Sequence, residues 1–204
     1  MRTLLVGGLC SGVGKTTLVC RLLETLPGWG ALKITPVRTH PCEGHPGCRE
    51  CHGLRGDYEI SLDPGDGKET GTDLYARAGA ARALWLLGRE LGLGPAIGAA
   101  LRRMGDLPGL VVEGNSFARH GAPDAIVLVA REGLPGVKPR ALDLIPTADW
   151  VVLNRAPGAG AEPKTVERLL RERGATRVLT LDAGSPVDTR TVAFLAEIRA
   201  WARR

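Results

Sequence analysis

The sequence predicts an α/β fold, a mostly parallel sheet with helices on both faces. Three observations carry that expectation. Apolar runs and helical stretches alternate along the 204 residues, the order that parallel sheets require of their crossover connections. The candidate strands are near-continuous apolar runs such as LVVEG, IVLV and VVLN, as suits strands covered on both faces. The first such run leads into GLCSGVGKTT and then an apolar-periodic helix, so strand, glycine-rich turn and helix follow in sequence.

Taken in order, strands are expected at 2–7, 31–35, 110–113, 125–129, 150–154 and 177–181. Helices are expected at 15–26, 72–91, 95–104, 163–173 and 187–201. The helix at 15–26 shows its apolar stripe at Leu18, Leu22, Leu23 and Leu26. The helix at 163–173 carries ERLLRER, a solvated face of interleaved acids and arginines. Segment 36–71 reads as a long connection rich in Gly, Pro, Cys and His, without periodicity. In a compact domain a connection of that length is functional or mobile. We expect one domain over 1–204 with this segment as an insert, since the chain is too short for two full cores.

The net charge of +5 raises the question of nucleic acid, but the arginines lie among acids along helices, which argues against it. No apolar run approaches a membrane span and no signal-like leader precedes the first strand, so the expected location is cytoplasmic.

GLCSGVGKTT (8–17) has the composition of a phosphate loop, or P-loop. Glycines let backbone amides turn toward an anion, and the following helix adds its positive end. Lys15 is placed for the β- and γ-phosphates, Thr16 for Mg²⁺ and Thr17 for the α-phosphate. Ser11, Gly12, Val13 and Gly14 complete the lining. The usual spacing puts the first glycine at position 9, which is Leu9; the glycine is Gly8, one residue early. Glu113 ends a strand as a carboxylate able to position Mg²⁺ or an attacking water, so Lys15 and Glu113 are the expected catalytic pair. Asn154 ends another strand, where an amide can read a purine edge. The run Asn154-Arg155-Ala156-Pro157 lacks the aspartate of guanine-selective NTPases, which leaves GTP and ATP both open. Asp57 and Asp63 read as surface carboxylates or outer metal ligands.

Three of the five cysteines and three of the four histidines fall in HPCEGHPGCRECH (40–52). Thiolates and imidazoles at this density suit a tetrahedral Zn²⁺ held by Cys42, Cys48 and Cys51, with His52, His40 or His45 as the fourth ligand. An iron–sulfur cluster would use similar thiolates. Cys20 is expected to pack as a small apolar residue.

The order GVGKTTL, a strand ending near Lys33, Thr39-His40, GTDLYARAGA (71–80) and VVEG (111–114) resembles the molybdopterin-guanine dinucleotide biosynthesis protein B family over roughly residues 3–130. The resemblance implies a Rossmann-like P-loop NTPase fold, a homodimer, and GTP binding with Mg²⁺. It also implies an accessory role beside the nucleotidyltransferase of molybdenum-cofactor biosynthesis. By motif, Gly12, Gly14, Lys15, Thr16 and Thr17 would hold phosphates and Mg²⁺, and Glu113 would be the strand-end acid. The tail beyond Ala130 is similar to the wider class containing dethiobiotin synthetase and the nickel-chaperone GTPases. An ATP-dependent synthetase or kinase is therefore the competing expectation, with Lys33 near the γ-phosphate.

Overall fold

The computed structural model describes residues 1–37, 54, 56–62, 71–131, 133, 136–155, 165–185 and 187–204. Among them run β1 (Arg2–Gly8), β2 (Gly30–Val37), β3 (Tyr58–Ser61), β4 (Ala83–Arg89), β5 (Gly109–Glu113), β6 (Ala125–Ala130), β7 (Trp150–Asn154) and β8 (Val178–Leu181). The helices are α1 (Lys15–Thr25), α2 (Gly71–Arg77), α3 (Leu93–Met104), α4 (Phe117–His120), α5 (Pro139–Leu142), α6 (Thr165–Glu172) and α7 (Thr189–Ala202). The strands form one sheet in the order β3-β4-β2-β5-β1-β6-β7-β8. Every pairing is parallel except β3 with β4. The expected α/β class is the observed one.

Alternation along each strand sorts the apolar side chains between two faces. Leu4 and Val6 of β1 join Val111 and Val127 beneath Leu18, Leu22 and Leu23 of α1, Tyr75 of α2 and Phe194 and Ile198 of α7. Leu5, Leu32 and Val112 meet Leu93, Ile97 and Met104 of α3 on the other face. Farther along that face, Val151 and Leu153 of β7 pack with Leu170 of α6. Each aliphatic side chain so buried contributes about 1.5–3 kcal/mol against the entropy of ordering the chain. Helix α7 starts at Asp188, whose Oδ2 accepts from the Thr191 amide at 2.9 Å, the usual arrangement for an N-cap acid. No helix among the described residues is long and apolar enough to cross a membrane.

An aromatic chain locks α7 at the N-terminal end of the sheet. The Trp29 and Trp201 ring centroids lie 6.1 Å apart, and Trp150 lies 6.4 Å from both Trp201 and Phe194. The Arg2 guanidinium stands 5.5 Å from the Trp201 ring and donates to the Trp201 carbonyl, a cation–π contact added to a hydrogen bond.

The structure corrects two expectations about elements. Residues 72–91 are not one helix: α2 ends at Arg77, and Ala83–Arg89 is β4, parallel to β2 from Ala31↔Ala83 to Val37↔Arg89. ALWLLGR is apolar on both sides because both faces of β4 are covered, and such a run has no period to separate strand from helix. Gly79, at φ +92°, ends the helical stretch in a conformation that costs a residue with a Cβ. The second correction lies inside 36–71, where Tyr58–Ser61 pairs antiparallel with β4 as the edge strand β3.

Gly109 opens β5 directly under the Trp29 indole, and a Cβ built there would collide with the ring. The indole has no room to withdraw because Trp201 packs on it. Gly109→Ala is expected to destabilise the fold by about 1–3 kcal/mol, lowering the midpoint of thermal unfolding by several degrees.

Candidate nucleotide-phosphate site

The early glycine has a packing reason. Gly8 is the last residue of β1, in register with Val129. A Cβ on Gly8 would lie 2.7 Å from Lys15 Cδ and 3.0 Å from Val13 Cγ2. The glycine therefore makes room for the lysine stem folding back across the loop. Leu9 turns the other way, fully buried beside Leu128 and Leu153, with its amide donating to the Val129 carbonyl at 2.9 Å. The chain then turns through Gly12 and Gly14, at φ +71° and +96°, and α1 begins at Lys15. No protein acceptor among the described residues meets the amides of Gly12, Val13, Gly14, Lys15 and Thr16. A set of amides at the positive end of a helix is the arrangement that receives an anion.

Three ties hold the loop. Asn115, two residues past β5, clamps its base: Oδ1 accepts from the Gly8 amide at 2.8 Å and Nδ2 donates to the Gly8 carbonyl at 3.0 Å. Asn154, at the end of β7, donates from Nδ2 to the Val13 carbonyl at 3.0 Å and accepts from the Ala183 amide at 3.0 Å. The Lys138 amide, just before α5, donates to the Leu9 carbonyl at 2.8 Å. A Cβ on Gly14 would overlap Asn154 Nδ2, so this glycine is required by its neighbour as well as by its φ.

Lys15 reaches back over the loop and donates from Nζ to the Cys10 carbonyl at 3.2 Å. Burial lowers its pKa; Glu113 opposes that shift, and Lys138 and Lys33 add to it. A cation that is partly desolvated and faces two others gains most from an arriving anion.

Glu113 ends β5, only 7% exposed, between Val6 of β1 and Lys33 of β2 in register. Its Oε2 accepts from the Thr16 hydroxyl at 3.0 Å and from the hydroxyl of Tyr75. Tyr75 is fully buried. Burial pushes its phenol pKa up and Glu113 pushes it further, so Tyr75 stays a donor. Lys33 lies across the same face, and a Cβ on Gly71 would sit 2.5 Å from its Nζ. A threonine hydroxyl and a carboxylate are hard oxygen ligands, and Thr16 with Glu113 fits Mg²⁺ on that chemistry.

Lys15 and Thr16 thus share one site with Glu113, 97 residues beyond Thr16. Ser11, Gly12 and Thr17 lie exposed on its rim and Val13 is buried beneath it. Asn154 sits against the same loop, with Nδ2 and Oδ1 engaged as above. Cys42, Cys48, Cys51 and His52, with His40 and His45, lie outside the described residues, as does Asp63. Among the described residues no group of three His, Cys, Asp or Glu side chains could hold a metal ion. Cys10 is buried, with its thiol on the Ser11 carbonyl at 2.9 Å, and Cys20 packs against the core. Asp57 leads into β3, four strands from β1. Sequence reasoning missed Asn115, Tyr75 and Lys138. The first is a polar residue just past a strand-end acid, and the second is a phenol in an otherwise helical motif. Nothing in the sequence marks the third.

Among solved structures, the chain is similar to the "apo" form of LpxK from Aquifex aeolicus in complex with ATP, with a TM-score of 0.52 and 17% identity. The match covers 89% of this chain and 54% of that one, so the chain spans about half the length of that protein. The likeness is one of fold, an α/β P-loop NTPase architecture. No protein-family model and no curated protein matches the sequence.

Asn115→Ala removes both bonds to Gly8, each worth about 0.5–1.5 kcal/mol. The expected result is destabilisation of about 1–3 kcal/mol, with faster hydrogen exchange of the Gly8 and Leu9 amides, read by mass spectrometry or NMR.

Proposed function

We propose that this chain binds a purine nucleoside triphosphate with Mg²⁺ and hydrolyses it slowly, as an accessory factor in the assembly of molybdopterin guanine dinucleotide or a related metal cofactor. The observation that carries the nucleotide part is the 3.0 Å hydrogen bond from Thr16 to Glu113, made at the head of a loop whose amides face no protein acceptor among the described residues. It joins the phosphate-binding helix to the strand-end acid, the two parts that phosphoryl transfer needs side by side.

In this reading the loop amides and Lys15 receive the β- and γ-phosphates, and Thr17 donates to the α-phosphate. Mg²⁺, held by Thr16 with Glu113, supplies positive charge to the phosphate oxygens. Glu113 accepts on Oε2 from two hydroxyls, which leaves Oε1 to accept from an attacking water and orient it. The base lies on the Asn154 side, where β7 ends against the loop. The accessory role and its partner, the molybdenum-cofactor nucleotidyltransferase, rest on the sequence resemblance. So do the homodimer and the preference for GTP. The Cys42, Cys48, Cys51 and His52 set adds a Zn²⁺ or iron–sulfur site to the proposal, open to elemental analysis of protein purified without chelator.

A second reading, an ATP-dependent kinase or synthetase, is favoured by Lys33. Its register places it beside Glu113, and it makes no ion pair with another described residue. Titration with GTP and with ATP separates the two, followed by product analysis with no second substrate present. GTP preference with slow phosphate release supports the accessory factor. ATP preference without phosphate release supports the kinase.

Lys15→Ala removes charge-assisted bonds of about 1.5–3 kcal/mol each. Nucleotide affinity is expected to fall at least tenfold in calorimetry while the circular dichroism spectrum is unchanged. Unaltered affinity in the folded variant overturns the phosphate-loop reading. Glu113→Gln should keep nucleotide affinity within a few-fold and slow single-turnover hydrolysis at least tenfold, because the carboxylate acts chiefly in the transition state.

A further inference from the structure

The Tyr75 hydroxyl is a polar group in a place where a phenylalanine would fill the same volume. Tyr75 is 0% exposed and belongs to the core beneath α1. A buried hydroxyl costs free energy unless it is hydrogen-bonded, and this one finds the same oxygen, Glu113 Oε2, that accepts from Thr16.

A carboxylate oxygen only accepts, so both hydroxyls must donate to it. A threonine hydroxyl has one proton. With that proton on Glu113, the lone pairs of Thr16 Oγ1 point away from the carboxylate, as a cation ligand requires. The arrangement lasts only while Glu113 stays turned toward Thr16. Lys33 is its register neighbour on β2 and extends from the same face of the sheet, which offers the carboxylate a competing partner. Tyr75, fixed by packing, holds Oε2 from α2.

We propose that Tyr75 is a positioning residue: by holding Glu113 it orients the Thr16 hydroxyl and so sets the affinity of the phosphate site for Mg²⁺. The inference rests on the nucleotide reading above and assigns a task to a residue that touches neither nucleotide nor metal. It also gives α2 a functional part, because the short helix that follows segment 38–70 delivers the hydroxyl.

The test compares wild type with Tyr75→Phe, measuring ATP and GTP affinity in EDTA and across a Mg²⁺ titration. Wild type should bind nucleotide more tightly as Mg²⁺ is added. In Tyr75→Phe the Mg²⁺ concentration giving half of that tightening should rise about five- to tenfold, the effect of losing one intramolecular hydrogen bond. Affinity in EDTA should stay within twofold. Combining the change with Thr16→Ala should abolish its effect, since Tyr75 acts through Thr16. An unchanged Mg²⁺ midpoint in folded Tyr75→Phe overturns the inference, as does an equal loss of affinity with and without Mg²⁺. A wild type that binds no nucleotide, or binds it indifferently to Mg²⁺, overturns the function reading itself. A measurement that needs no loss of the hydroxyl uses 3-fluorotyrosine in a Tyr58→Phe protein, which leaves Tyr75 as the one label. Its ¹⁹F resonance should move when Mg²⁺ joins the nucleotide complex; an unmoved resonance overturns the inference.

Discussion

The buried carboxylate of Glu113 is the constraint around which the site is arranged. A charge with 7% of its surface in water persists only if donors or cations meet it. Here they come from two elements far apart in the chain, Thr16 from α1 and Tyr75 from α2, with Lys33 of β2 the register neighbour. Satisfying one oxygen thus fixes how α1 meets β5, and how α2 returns to the sheet after segment 38–70. The demand for donors is local, and its effect is to join α1 and α2 to the sheet at the ends of the central strands.

The loop itself is supported from outside. Its shape depends on Asn115 past β5, Asn154 at the end of β7 and the Lys138 amide before α5. The ties engage backbone groups of Gly8, Leu9 and Val13, and the amides of residues 12–16 keep no protein acceptor among the described residues. That division lets the loop be rigid without consuming the groups it needs for binding, which is what preorganisation means in energetic terms. The cost appears at Lys15, held partly desolvated beside other cations.

How much of this was legible in the sequence follows from the range of each interaction. The phosphate loop was legible because its requirements are local: glycines for turning, a lysine and a hydroxyl at the first helical positions. Glu113 was legible because a lone charge closing an apolar run stands out, and a phosphate loop elsewhere in the chain supplies a reason for it to be there. Segment 72–91 was misread because ALWLLGR is buried on both faces, and a side chain pattern without polar positions has no period. Asn115 and Tyr75 escaped because their partners are 107 and 38 residues away, and neither residue type announces a partner. The displacement of the first glycine was visible as an anomaly, but its cause, the stem of Lys15 lying over Gly8, exists only in three dimensions.

The aromatic chain that docks α7 also decides what light reports about this molecule. Trp29, Trp150 and Trp201 lie within energy-transfer range of one another, at the pole of the sheet away from the loop. Their pooled emission follows the seating of α7 and says little about what happens at the far pole. Trp85 is the exception: it neighbours Lys33 in register, and its indole donates to the Thr35 hydroxyl at 2.9 Å. Of the four tryptophans, this one stands on the strand beside the anion-facing cluster. A protein in which the other three were replaced would carry a single optical probe at the ligand end, whereas three of the intact chain's four tryptophans report from the opposite end.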